Sequence, residues 1–492
     1  MSSGYNTNES FIAVVDLGTG KISLTVAKVE GNNTQILFYR AAKSEGIRNS
    51  AIFNPKKAEG VLSGLLSAAE EELKIKILSV VVGLPRCGVR QEKAEAICQR
   101  NDPDECITVE EIESLKCIAK EEHHLGDPDK EEIYGAVAQC FSTPEYFQVN
   151  ENDIVGMISS EVTGHFNVFI GRRSHINNIY KVFNDLGVAI SRMYFSPVAT
   201  SRAVLTDEEM HNGVALLDFG AGATSVSIYR NRVLAHYASI PFGGNVVTSD
   251  IRNECSISER LAENIKCAYG GCMPDRLQTL SEKIIQIESD DMNVCNQIPV
   301  SYLSEIISAR EKEIIDAMLY EISESGLAGA LRKGVVITGG GAEMLNLGNY
   351  IRELSGYTVR VACPRNGFVA TGCEEILKPA AVASAGMVLL AKDEGLNCCT
   401  VSEDYAAGTA ANAPEAGQAG SGVEEVWNNL VSSPAEETTE TPDIEENADE
   451  FGKQPETPAA EEEPEKEKKP GFFKTIAWKV QKYYNEISKE TV

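Results

Sequence analysis

Aspartates at positions 16 and 218 each close an apolar run and open a turn of small residues. The segments read Asp16-Leu17-Gly18-Thr19-Gly20-Lys21 and, about 200 residues later, Asp218-Phe219-Gly220-Ala221-Gly222-Ala223-Thr224-Ser225. A second apolar run follows each turn. Small residues expose closely spaced backbone N–H groups, and such groups cradle phosphate oxygens. Gly18, Thr19 and Gly20 would serve one side of a phosphate chain, and Gly220, Ala221, Gly222 and Ala223 the other. Thr19 and Thr224 add hydroxyl donors, and Lys21 adds a counter-charge. Asp16 and Asp218 are hard oxygen donors, suited to Mg²⁺ directly or through waters. An ordinary Asp-Gly hairpin turn is the competing explanation for each segment. Duplication in one chain favours two halves closing over a shared anionic ligand.

Two further glycine clusters fit the same cleft. Val335-Val336-Ile337-Thr338-Gly339-Gly340-Gly341-Ala342-Glu343-Met344 sets three glycines between a buried strand and a helix. Backbone bare of side chains there can pass close to a purine or ribose; a tight strand–helix connection is the plainer alternative. Pro241-Phe242-Gly243-Gly244 enters another helix, where its glycines line the cleft floor or cap the helix. On a helix starting at Ser258, Glu263 and Lys266 are three residues apart and share a face. They can reach a ribose or a base, or form a solvent-exposed pair.

The elements that must position these residues are legible from hydrophobic periodicity. Strands are expected at 11–15, 23–29 and 35–41, a helix at 56–74 and a strand at 77–84. The second half repeats the meander at 213–217, 224–229 and 232–240, with helices at 243–254, 258–269, 301–324 and 342–354. Between the halves, residues 88–165 form an inserted α+β unit. Its helix at 109–122 is introduced by Thr108 and Glu111, a capping-box pair, and its strands lie at 134–141 and 145–149. The parent domain resumes at 166, with a helix at 174–186 and a strand at 189–195. The expected domains are therefore 1–87 with 166–208, the insertion 88–165, and a second lobe 209–399.

At 492 residues the chain exceeds what one hydrophobic core serves. Its composition, 43% hydrophobic and 24% charged, is that of a globular protein. The formal charge is −28, and residues 421–470 carry 16 acidic side chains against four lysines. That excess argues against nucleic acid as a partner. Thirteen cysteines without a Cys-x-x-Cys pair suit a reducing compartment rather than a disulfide framework or a zinc site. The polar start lacks the pattern of a signal peptide, and no apolar run reaches the roughly 18 residues of a membrane span. Any membrane contact is then peripheral.

From about residue 400 Ala, Pro, Glu, Thr and Gly dominate, so 400–470 reads as an acidic disordered tether. About 70 flexible residues span roughly 45 Å on average. Beyond it, on a helical wheel for 471–492, Phe472, Phe473, Ile476, Val480, Tyr483, Tyr484 and Ile487 fall within about 120°. Lys474, Lys482 and Lys489 lie opposite, with Trp478 among them. This is the pattern of a helix lying in an anionic lipid interface.

These motifs resemble those of the actin-like ATPase superfamily and, within it, the FtsA family of bacterial cell division. Asp16–Ile22 is similar to the first phosphate motif, Asp218–Ser225 to the second and Val335–Met344 to the adenosine motif, over roughly residues 11–392. The resemblance implies an α/β, actin-like two-lobed ATPase of duplicated ribonuclease-H-like domains with a small inserted 1C-type α+β subdomain. It also implies ATP and Mg²⁺ as cofactors, Gly243, Gly244, Glu263, Lys266, Gly339, Gly340, Gly341 and Met344 around the nucleotide, and self-assembly into filaments. Implied partners are other divisome proteins at the insertion and the tail of the tubulin-like GTPase FtsZ, docking near 245–330. The implied location is the cytoplasmic face of the inner membrane at the septum. Ala221, Ala223 and Ser225 depart from the family's second motif, where a glycine, a threonine and an aspartate are usual. ATP binding tolerates these changes better than fast hydrolysis does. Glu161 is the candidate for aligning a hydrolytic water, a surface carboxylate being the alternative. A related pilus-assembly adaptor of PilM type and a sugar kinase are the competing identities. No acidic base beside a substrate cleft supports the kinase.

Overall fold

The computed structural model describes residues 9–288, 295–365 and 367–401. The expected tether at 400–470, apart from its first residues, and the amphipathic segment 471–492 lie outside them.

Two five-stranded sheets dominate. In the first, Glu9–Leu17, Lys21–Glu30 and Asn33–Lys43 form an antiparallel meander, and Ser79–Leu84 and Ala189–Phe195 extend it in parallel beyond the first strand. The second repeats this order and sense with Val214–Phe219, Thr224–Arg230, Val233–Ile240, Val335–Thr338 and Val359–Val361. In each sheet the strand ending near the aspartate is central. Burial on both faces explains its unbroken apolar run: Ile12 to Val15 and Val214 to Leu217 are at most 1% exposed.

The insertion is a three-stranded antiparallel sheet of Arg90–Gln99, Glu131–Ser142 and Glu161–Arg172, with helix Val109–Glu121 packed on it. Thr108 and Glu111 cap that helix reciprocally, as their spacing requires. Two expectations change here. The insertion closes near 172 rather than 165, because Glu161–Arg172 pairs along its length with both neighbours. Phe169 on this strand faces the main core, while Val168 and Ile170 face the insertion's own. Residues 145–149 make a single bridge, Phe141 to Val149, rather than a strand.

The expected extent of the second lobe, 209–399, also changes at its far end. After the second sheet the chain returns to the first lobe: Val369 bridges Gln35, and Cys399–Val401 pairs with Ile75–Ile77. Helix Val382–Asp393, apolar on nearly every side, is buried against the first sheet and crosses helix Ser196–Val204. The two approach so closely that a Cβ at Gly386 would collide with the Ala199 carbonyl.

The insertion also clasps the second lobe. Gln91 Nε2 donates to the Ala235 carbonyl at 3.3 Å, and its Oε1 accepts from the Tyr237 N–H at 2.9 Å. Asn167 donates to Ala235 O and Gln139 to Leu234 O, each at 3.0 Å. These side chains satisfy backbone groups on the outer edge of strand Val233–Ile240, which would otherwise seek another strand. Beside them Phe169 stacks on Phe195 at 4.8 Å, with Tyr237 edge-on to both.

Gly386→Val should lower stability by about 3 kcal/mol through overpacking, measured as a fall in urea midpoint. Gly60→Ala, on an exposed helical position with open space around it, should leave the midpoint unchanged or raise it by a few tenths of a molar. Equal effects would remove the crossing as a stability determinant.

Candidate functional site

Both aspartates stand at the carboxyl ends of central strands, and the turns after them meet face to face. Ideal Cβ positions show how tightly. One at Gly222 would lie 2.7 Å from the Thr19 side chain, and one at Gly20 would lie 2.9 Å from Ala221 Cβ. Neither glycine has a positive φ, so space, not backbone conformation, requires them. Ala221 keeps φ negative too, which explains why alanine is accepted there. As they stand the turns touch, and a phosphate entering between Thr19 and Gly222 must part them.

Several expected donors are occupied. Thr19 Oγ1 accepts from the Ser50 N–H at 2.8 Å. Thr224 is fully buried and donates to the Phe242 carbonyl at 2.8 Å. The Gly220 N–H closes its own turn on the Ala223 carbonyl. The Gly220 and Ala221 carbonyls accept from the Gly244 and Asn245 N–H groups at 2.9 and 2.8 Å, capping helix Gly244–Cys255. Gly243 fits because a side chain there would strike those carbonyls. Gly18, in the first turn, has no room for a side chain beside the Lys21 carbonyl, 2.7 Å from its Cβ position.

Lys21 departs from expectation. Its Nζ donates to Tyr39 Oη at 3.0 Å, across the meander. The cation standing on these facing turns is instead Arg86, which sequence reasoning missed. It follows strand Ser79–Leu84, and its Nη1 donates to Asp218 Oδ2. Burial alone would weaken that guanidinium's hold on its proton, but Asp218, Tyr237 and Asp16 keep its pKa above the ordinary arginine value. Asp16 is pushed above the usual carboxylate range by burial, against the pull of Arg86 and then Lys21, with Asp218 adding to the rise. Asp218 Oδ1 is buried without a hydrogen-bond partner. Both carboxylates thus feel the Arg86 charge, and a guanidinium stands on Asp218 where a metal ion was expected. Among the described residues no group of three or more His, Cys, Asp or Glu is placed to hold a metal.

The third glycine cluster packs on the same strand end. Gly339 has φ +86°, and a side chain there would collide with Asp218 Oδ1 and the Phe219 carbonyl. A Cβ at Gly341 would lie 2.8 Å from Phe219 Cβ, whereas Gly340 has room, 3.7 Å from Ala380. Gly340–Glu343 is a 3₁₀ turn, and the helix begins only at Leu347. Met344 Sδ sits 3.1 Å from the Cβ position of Gly270.

Glu263 and Lys266 form a part-buried network, with Lys266 covered and Glu263 half-exposed. Lys266 Nζ donates to Glu263 at 2.7 Å, Thr248 Oγ1 at 2.8 Å and the Gly244 carbonyl at 2.9 Å. Burial raises the Glu263 pKa, but Lys266 and Thr248 outweigh it and hold the carboxyl below its usual range. Lys266 therefore ties helix Glu259–Tyr269 to the start of helix Gly244–Cys255, just beneath the second phosphate turn.

Glu161 is not at this site. It pairs with Gln99, whose amide donates to its carboxylate, at the far end of the insertion's sheet. Ile170 pairs with Arg90 at the near end, roughly 30 Å of strand away. A carboxylate there cannot align water in the cleft.

Glu311, on helix Val300–Glu324, is 3% exposed and has one oxygen without a partner. Burial raises its pKa to about 7, with Lys266 opposing the rise. Its contribution to stability is full below pH 4.5, its ordinary value, and is lost as pH rises through about 7. Glu311→Gln should therefore gain up to about 3 kcal/mol at pH 8 and flatten the urea midpoint between pH 4.5 and 7. An unchanged pH slope in the variant would refute this.

Comparison with known proteins follows this geometry. The family model for "Cell division protein FtsA" matches residues 215–386, the second lobe and the crossing helix. The chain is 29% identical over 360 residues to the cell division protein FtsA of Streptococcus pneumoniae, covering 72% of this chain and 76% of that one. To the FtsA of Borreliella burgdorferi it is 29% identical over 386 residues, covering 78% and 91%. Among solved structures, the PilM–PilN type IV pilus biogenesis complex aligns with a TM-score of 0.55 at 14% identity, over 77% of this chain and 97% of that one. This last likeness is one of fold.

Proposed function

We propose that the chain belongs to the FtsA family of the actin-like ATPase superfamily, as its likeness to FtsA proteins supports, and that it is an ATP-binding cell division protein. In this reading it polymerises at the cytoplasmic face of the inner membrane and tethers FtsZ filaments there at the division septum. The observation that carries it is the apposition of two phosphate-type turns, Thr19 against Gly222 and Gly20 against Ala221, at equivalent strand ends. Two lobes of one strand order suit a duplicated ribonuclease-H-like origin. A triphosphate wedged between the turns would lie with its adenosine toward Gly339–Met344 and its ribose toward Glu263 and Lys266.

ATP would then act as a clamp. Whatever it binds across both turns favours one lobe arrangement, and filament contacts that need that arrangement follow its population. Hydrolysis is slow in this reading, since Glu161 lies far from the turns and Ser225 stands where the family usually has an acid. The FtsZ tail would dock near 245–330, and other divisome proteins would bind the insertion, which is anchored to both lobes. The segment 471–492 would attach the protein to anionic lipid. One lysine-bearing helix is a modest anchor, at about 1 kcal/mol per lysine, and a filament multiplies it.

Titration of a fluorescent ATP analogue into the full chain should saturate at one site. Gly222→Val, whose side chain would strike Thr19, should weaken binding on the order of 100-fold. Unchanged affinity in that variant would sink the cleft. In co-sedimentation with anionic vesicles the full chain should pellet and a chain ending at Pro470 should not. Pelleting of both would sink the anchor.

A further inference from the structure

The contact between Arg86 and Asp218 changes what the site asks of a metal. Asp218 accepts from Arg86 Nη1 through Oδ2, and among the described residues it has no other ion-pair partner. The second terminal nitrogen, Nη2, lies so close to Gly220 that a Cβ there would collide with it. The guanidinium therefore touches both the carboxylate and the turn that would hold phosphate. Asp16, on the other lobe's equivalent strand, feels the same charge as its largest electrostatic relief. Arg86 is held from behind, since Tyr237 Oη donates to its carbonyl oxygen. Lys21, the cation foreseen for phosphate, is turned to Tyr39.

A guanidinium carries a permanent charge and five N–H donors in a planar fork. It can hold a carboxylate along one edge and a phosphate along another. A divalent ion on Asp218 Oδ2 would have to displace it and would meet a like charge beside it.

We propose that Arg86 is the resident cation of the phosphate site, neutralising Asp218 in place of a divalent metal and donating to the nucleotide's phosphate oxygens. Nucleotide affinity then depends little on magnesium. The inference rests on the nucleotide-binding reading above and adds the identity of the charge that receives the phosphates.

The test measures binding of the fluorescent ATP analogue in magnesium and in EDTA, for the full chain and Arg86→Gln. Stripping magnesium should weaken the natural chain by less than about tenfold. It should weaken Arg86→Gln by about 100-fold, the worth of a charge-assisted contact to phosphate. Without nucleotide, Mn²⁺ followed by electron paramagnetic resonance should leave the natural chain unbound and bind Arg86→Gln. Mg²⁺ should raise the melting temperature of the variant alone. Arg86→Lys should restore part of the metal independence.

A natural chain that loses ATP in EDTA by about 100-fold would overturn the proposal. So would stoichiometric Mn²⁺ in the nucleotide-free natural chain that Asp218→Asn abolishes. Both readouts use the natural residue at 86, so they decide the matter even if Arg86→Gln does not fold. Absence of ATP binding under every condition would instead overturn the nucleotide-binding reading, and the Mn²⁺ measurement would still judge Arg86.

Discussion

Arg86 and Asp218 form the ion pair on which the centre of the molecule depends, because it joins the first lobe's strand end to the second lobe's aspartate. Asp218 belongs to the second lobe, and Arg86 lies where the first lobe hands the chain to the insertion. The Arg86 carbonyl is held by Tyr237, on the edge strand that the insertion clasps. A pair so deeply placed is a weak source of net stability, since desolvation offsets much of the attraction. Its strength is specificity. Removing one partner strands a buried charge, so the lobes find little else to do with their facing turns.

Close approach, more than backbone freedom, explains the glycines around that pair. Gly20, Gly220, Gly222, Gly243 and Gly341 all have negative φ, and each sits where a methyl group would meet another chain segment. Gly339 combines both demands, with positive φ and a carboxylate oxygen where a Cβ would stand. The turns thus work as contact surfaces. Within the first lobe Gly386 plays the same part under Ala199, where two helices cross. Movement that parts the turns must be borne in part by the side chains clasping strand Val233–Ile240.

The insertion is accordingly more than an appendage. It has its own core around Phe141, Phe166 and Ile112, yet Gln91, Gln139 and Asn167 bind the second lobe's edge strand. A partner that displaces the insertion would pull on that edge, and through Tyr237 on Arg86.

Local sequence determined the elements and the chemical character of the turns. Apolar runs buried on both faces mark the central strands. The Thr108–Glu111 box marks a helix start, and the twin Asp-Gly segments mark where backbone is kept bare. These are properties of neighbours in the chain, decided by sterics and hydrogen bonding within a few residues. Tertiary structure alone decided who meets whom. Arg86 carries no local signal, for it is one charged residue after a strand, and only the closing of the lobes sets it on an aspartate 132 positions away. Lys21 sits within the motif but is drawn to Tyr39 by strand pairing, and Glu161 is carried off by the register of its sheet. The return of residues 369–401 to the first lobe was equally hidden, because long-range packing depends on complementary surfaces that no single segment contains.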